Sequence, residues 1–217
     1  MSHAAHALDA HAMAPAADHA TTTGLDSRKM AIWTFIGSEC LFFASLISTY
    51  LVYRGKSLVG PFPHEAWTSP AGQHFEPILE IKLVTVGTAL LLFSSLFVVI
   101  ALNGAQRNRR GQLLTFLGLT IMCGIFFVGM QVYEFTHFVH EGLKLQTNLF
   151  GASFFTLTGF HGTHVTMGVI WLITMFILAL RGKVTPEKAL NLELAALYWH
   201  FVDVVWIVIF PVVYLMK

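Results

Sequence analysis

Residues 153–180 read SFFTLTGFHGTHVTMGVIWLITMFILAL, with no Lys, Arg, Asp or Glu anywhere in the run. A helix needs about 20 apolar residues to cross a hydrocarbon core of about 30 Å. This one is longer, so it is expected to span a membrane and to tilt or protrude. Four more runs of spanning length flank it, which places the spans at about 30–52, 83–102, 113–135, 153–180 and 194–216. The fold class expected is all-α: a polytopic bundle of five transmembrane helices, with its termini on opposite sides of the bilayer. Composition agrees, because 55% of the 217 residues are hydrophobic and only 12% charged, against about 25% charged in soluble domains.

Thirteen Lys and Arg against twelve Asp and Glu leave a net charge of +1, so there is no basic excess for a nucleic-acid partner. Cys40 and Cys123 lie in apolar runs and supply no disulfide framework. Residues 1–29 form a polar tail, expected to be disordered, whose four histidines (His3, His6, His11, His19) are given no function. The tail lacks the basic start and apolar core of a signal peptide. Residues 30–217 then make the membrane domain. Arg28, Lys29, Arg107, Arg109, Arg110, Arg181, Lys183 and Lys188 flank the spans on the N-terminal side, against Arg54, Lys56, Lys82, Lys144 and Lys217 on the other. Positive loops stay cytoplasmic, so the N-terminus is expected there. The loop 53–81 carries Pro61, Pro63, Pro70 and Pro77 and is expected to be irregular and outside the membrane.

Ionisable groups inside spans cost several kcal/mol unless neutralised or paired. Glu39 lies in the first span, Gln131 and Glu134 in the third, Thr158, His161 and His164 at every third position of the fourth, and His200 with Asp203 in the fifth. A spacing of three keeps groups on one helix face, so these stripes should point into the bundle. Three chemistries fit: a metal site of the kind helix bundles build, interhelical hydrogen bonds that fix register, or a proton relay. Depth disfavours one shared ion. At 1.5 Å per residue, Glu134 falls at the outer boundary, His161 and His164 near the middle, and His200 with Asp203 in the inner third. Glu39 has no cation beside it in sequence and is expected to be a neutral carboxyl donating a hydrogen bond. Gly159, Gly162 and Gly168 make the fourth span a packing centre. Trp33, Trp171, Trp199 and Trp206 are expected as interface anchors or lipid contacts.

These residues resemble subunit III of the haem-copper terminal oxidases, which reduce oxygen with electrons from cytochrome c or a quinol. RKMAIWTFIGSECLFFASLISTYLVYR resembles the family's glutamate-bearing helix, GMQVYEF its Gln-x-x-Glu helix, NLFGASFFTLTGFHGTHVTMGVIWL its His-bearing helix and LYWHFVDVVWIVIFPVVYL its closing helix. The likeness covers Arg28 to Lys217 and leaves the tail without a counterpart. Five spans correspond to the short bacterial form, which lacks the first two helices of the seven-helix subunit. The resemblance implies a non-catalytic chain with no cofactor or metal of its own, since haem and copper belong to neighbouring subunits. It further implies packing against subunits I and II, bound phospholipid, support of proton uptake and sustained turnover, and a place in the bacterial cytoplasmic membrane, with a respiratory supercomplex as a larger assembly. Glu39, Glu134, His161, His164, His200 and Asp203 become the buried polar set behind that support; the donor sites of the family lie on other subunits, and cytochrome c is expected as the donor on frequency alone. Three rivals stand beside this expectation: subunit III of a quinol oxidase, an intramembrane metalloenzyme, and a free-standing proton or solute carrier. The last would be expected to show two similar halves or interrupted helices, and neither is evident.

Overall fold

A computed structural model describes residues 26–54, 56, 67–68, 74–75, 81–140 and 142–216. It holds five long helices, each long and apolar enough to cross a membrane: α1 (Ser27–Tyr53), α2 (Ile81–Gln106), α3 (Arg110–His140), α4 (Leu149–Leu180) and α5 (Leu190–Phe210). A 3₁₀ turn, Pro186–Lys188, precedes α5, and a π-helical turn, Pro211–Leu215, continues it. Between α1 and α2, Trp67–Thr68 pairs antiparallel with His74–Phe75. The rest of that loop lies outside the described residues, as do the tail histidines.

The helices run past the apolar stretches that mark them in sequence, because the backbone ladder continues into the polar boundary layer. Helix α1 starts at Ser27, so the last residues assigned to the tail are helical. The cause is Asp26, whose carboxylate accepts from the Arg28 backbone N–H at 2.8 Å as an N-cap. The Arg28 side chain, hydrogen-bonded to the same carboxylate, holds Asp26 below its ordinary value. Helix α4 likewise starts at Leu149, capped by Asn148 accepting from Gly151 N–H at 2.6 Å. Its 32 residues measure about 48 Å along the axis, well beyond the hydrocarbon thickness. Helices α2 and α4 end in the left-handed closing turn, with Asn108 and Gly182 at positive φ and Arg109 N–H and Lys183 N–H reaching back to the carbonyls of Gly104 and Leu178. In α5, Pro211 has no N–H to donate to the preceding turn. The chain widens there, and Met216 N–H reaches the Pro211 carbonyl.

Helices α2, α3, α4 and α5 pack as a ring in which each touches its sequence neighbour and α2 closes onto α5, while α1 lies against α4 and α5. Burial follows this arrangement: 56% of the apolar window of the last span is buried within the chain against 11% for α1. Much of α1 therefore faces outward. Lys29 pairs with Glu193 at 2.7 Å, and Arg110 donates to the Leu180 carbonyl at 2.5 Å. These contacts bring the starts of α1, α3 and α5 to the same end as the last turns of α2 and α4. Exposed Leu41, Met122, Met167, Ile170 and Val132 form an apolar outer surface, as expected for a protein solvated by lipid rather than water.

Candidate functional site

Two of the four tryptophans expected at the interface are instead core residues. Trp199 and Trp206 are fully buried. Their indole N–H groups donate to Ser94 Oγ at 3.0 Å and Thr88 Oγ1 at 2.9 Å. Helix α2, read in sequence as an apolar run, thus carries a ladder of hydroxyls facing α5, and an indole N–H with such an acceptor no longer needs the interface. Trp33 is exposed and Trp171 half-buried, compatible with the outward role.

The polar set divides into four places. In the first, Glu39 on α1 meets His164 on α4, with Oε2 and Nε2 3.2 Å apart and both side chains largely covered. The expectation that Glu39 lacks a basic neighbour held only for adjacent sequence; the fold supplies one from 125 residues away. His164 Nδ1 lies 2.8 Å from the Phe160 carbonyl. A carbonyl can only accept, so Nδ1 carries a hydrogen. A hydrogen bond across the Oε2–Nε2 contact then needs its hydrogen either from a neutral carboxyl donating to imidazole or from an imidazolium donating to a carboxylate. Next to this pair, Phe35, His164, Met167, Trp171 and Tyr198 line an open, mainly apolar groove of about 410 Å³.

In the second place, His161 is fully buried, stacked on Trp206 (ring centroids 4.9 Å, interplanar 22°) and edged by Phe127 and Phe43. Neither ring nitrogen has a hydrogen-bond partner among the described residues. The stripe Thr158–His161–His164 therefore splits, with Thr158 and His161 facing the ring and His164 turning to α1. In the third, Ser95 on α2 contacts His200 Nδ1 at 2.5 Å and neighbours the buried Asp203 without closing a hydrogen bond to it. Because α5 begins at Leu190, Asp203 lies about 20 Å into the helix, one turn from Trp206, which stacks on His161. In the fourth, Glu134 accepts from Tyr214 Oη at 2.9 and 3.0 Å. The π-helical turn delivers that tyrosine, a partner the sequence did not flag. Beside it, Gln131 Nε2 donates to the Thr158 carbonyl at 2.7 Å, across a gap kept open by Gly162, where a Cβ would stand 2.5 Å from Gln131 Oε1.

Among the described residues no three His, Cys, Asp or Glu side chains converge at a spacing that could hold an ion. What the arrangement offers is a set of separate interhelical polar contacts, one of which pairs a carboxyl with an imidazole.

Residues 9–217 match the family model described as Cytochrome c oxidase subunit III. The match reaches well into the tail, which the motifs had left without a counterpart. The chain is 36% identical to Cytochrome c oxidase subunit 3 of Bacillus sp. (strain PS3), covering 99% of this chain and 98% of that protein. It is 37% identical to Quinol oxidase subunit 3 of Bacillus spizizenii (86% of each chain). It is also 35% identical to Cytochrome bo(3) ubiquinol oxidase subunit 3 of Pseudomonas aeruginosa, covering 97% of this chain and 95% of that one.

Proposed function

Since the chain belongs to the cytochrome c oxidase subunit III family, and is thus subunit III of a haem-copper oxidase, we propose that it is a non-catalytic partner of the redox subunits that supports proton uptake and sustained turnover. The observation that carries this is the Glu39–His164 contact between α1 and α4, where a carboxyl and an imidazole meet at 3.2 Å. That contact stitches α1 to the ring, and its carboxyl and imidazole are the groups this reading assigns to proton uptake. The other polar residues act as packing: Glu134 with Tyr214 joins α3 to α5, and Ser95 with His200 joins α2 to α5. In this reading the haem and copper centres are held by subunits I and II. The groove beside His164 takes phospholipid acyl chains. The membrane is the bacterial cytoplasmic membrane, and a respiratory supercomplex is the larger assembly.

The expectation that Glu39 is a neutral carboxyl has a chemical consequence. A hydrophobic carbodiimide reacts with protonated carboxyls in apolar surroundings, so peptide mapping should find Glu39 modified well before the loop residues Glu65 and Glu76. Glu39→Gln keeps shape and a donor toward His164 Nε2 and should still assemble. Preferential labelling of the loop acids would mean that the pair is ionised or closed to the reagent, and would remove the proton-uptake role.

The cationic flanks, eight against five, support a cytoplasmic N-terminus. In a cysteine-free background, Ala20→Cys should react with an impermeant thiol reagent from the cytoplasmic side only, and Pro70→Cys from the outside only. The reverse pattern would overturn the orientation.

We take cytochrome c as the electron donor. Quinol is the second reading, favoured by quinol-oxidase relatives at the same level of identity. An optical spectrum of the purified complex, with mass spectrometry of the copurifying subunits, separates them: haem a with c supports cytochrome c, and haem o with quinone supports quinol.

A further inference from the structure

Helices α3 and α4 leave between them an outward-opening groove of about 310 Å³, running over residues 128–135 of one and 159–167 of the other, two turns of each. Gly159, Gly162, Thr163 and Thr166 keep its α4 wall low, and exposed Val132 and Met167 form its rims. Met167 separates it from the groove beside His164.

Small residues are ordinary wherever membrane helices pack; the side chain that gives this groove a chemistry is Gln131. It is 6% exposed. Its Nε2 donates to the Thr158 carbonyl at 2.7 Å, and because a carbonyl only accepts, that bond fixes which end of the amide is which. Its Oε1 lies over Gly162, where a Cβ would stand 2.5 Å from it, and accepts no hydrogen bond among the described residues. Thr163 and Thr166 spend their hydroxyl hydrogens on the carbonyls of Gly159 and Gly162, at 2.9 and 2.8 Å. Three oxygens along the groove can therefore still accept, and the nearest hydroxyl hydrogens are already used inside α4.

Depth decides what can donate to them. Gln131 lies about 14 Å from the end of α3 and Gly162 about 20 Å from the start of α4, at the same end of the bundle. Both helices exceed the hydrocarbon thickness by about 16–18 Å. With that excess shared between their two ends, these groups lie about 5–10 Å inside the hydrocarbon. Water and headgroups stay outside that layer, and acyl chains carry no donor. A second copy seated groove to groove would set threonine oxygens, their hydrogens already spent, against one another. A different helix can bring a donor to this depth, and the chain belongs to a family of subunits of multi-subunit oxidases.

We propose that this groove seats a membrane-spanning helix of another oxidase subunit, which sets a donor side chain (Ser, Thr, Asn, Gln or Trp) against Gln131 Oε1. The glycines let its backbone approach closely. The proposal rests on the chain being one subunit of an oxidase and is independent of the electron donor and of the proton-uptake role.

The test uses the purified oxidase with the photoreactive p-benzoylphenylalanine in place of Val132, irradiated and mapped by mass spectrometry. Adducts should fall on an apolar helical segment of another subunit. Gly159→Leu fills the groove from a position where a Cβ meets only Phe135 Cε2, at 3.9 Å. The subunit should therefore melt unchanged while the adduct yield falls about fivefold or more. Gly159→Ala, which adds that single Cβ, should give a smaller fall in the same direction and stands in if the leucine variant does not accumulate. Exchanging the partner's donor nearest the adduct for an apolar residue of similar size should lower the yield about threefold. Adducts confined to lipid or to a second copy of this chain would overturn the proposal, as would a yield that neither the groove variant nor the donor exchange changes. Failure of the oxidase assignment itself would show differently, as a purified complex that holds no haem-copper subunit.

Discussion

Gly124→Leu should prevent the subunit from accumulating in the assembled oxidase. Trp199 of α5 is fully buried and donates to Ser94 of α2, and its ring lies between glycines of the other two helices in the ring. A Cβ at Gly124 on α3 would stand 2.7 Å from Trp199 Cη2 and 2.7 Å from Val169 Cγ2, and one at Gly168 on α4 would stand 2.9 Å from Trp199 Cε3. One indole thus fixes the spacing of four helices. A rigid ring system cannot yield as a flexible side chain would, so the overpacking cost belongs at or above the upper end of about 1–3 kcal/mol. Gly168→Leu should behave similarly, whereas Gly129→Ala, where nothing lies within 4 Å, should be tolerated. Trp199→Phe should lose about 1 kcal/mol by leaving Ser94 without its donor. Thermal melting of the detergent-purified complex, with immunodetection of the subunit, reads all four. Normal assembly and melting of Gly124→Leu would show that the helices are not spaced by this indole.

The five helices were legible because hydrocarbon thickness imposes a length and an apolar composition on each span, and both can be counted. Their ends were less so, since Asp26, Asn148 and the polar boundary turns prolong helices where hydropathy has already fallen. The polar residues of α3, α4 and α5 stood out by chemistry, but their partners did not. Glu39 meets a histidine 125 residues away, and Glu134 meets a tyrosine aimed by a π-helical turn after Pro211. Periodicity gives the face of one helix and leaves open which neighbour that face meets. Trp199 and Trp206 were misplaced for the same reason. Their aromatic character is compatible with an interface, and only the hydroxyls of Thr88 and Ser94, scattered in an apolar run, mark the buried acceptors.

Removing this subunit should leave an oxidase with normal haem spectra that reduces oxygen at close to the full rate in its first turnovers and then fails. The expectation follows from the proposed division of labour. If the redox centres lie on the neighbours, initial chemistry survives; if this chain covers a face of the catalytic subunit and eases proton delivery, endurance and proton uptake do not. The rate loss should grow with pH, because fewer protons are available to an entrance stripped of its surrounding protein. The metalloenzyme and carrier rivals lead elsewhere: the former requires stoichiometric metal on this chain alone, and the latter requires transport activity without the other subunits. The decisive measurement is oxygen consumption followed over many turnovers at neutral and alkaline pH, in complexes with and without the subunit and with haem and copper content verified. Normal early turnover followed by progressive loss, steeper at alkaline pH, is the predicted result. Immediate and complete loss of activity in a complex with intact haems and copper would mean that this chain carries an essential catalytic group, and would contradict its non-catalytic role.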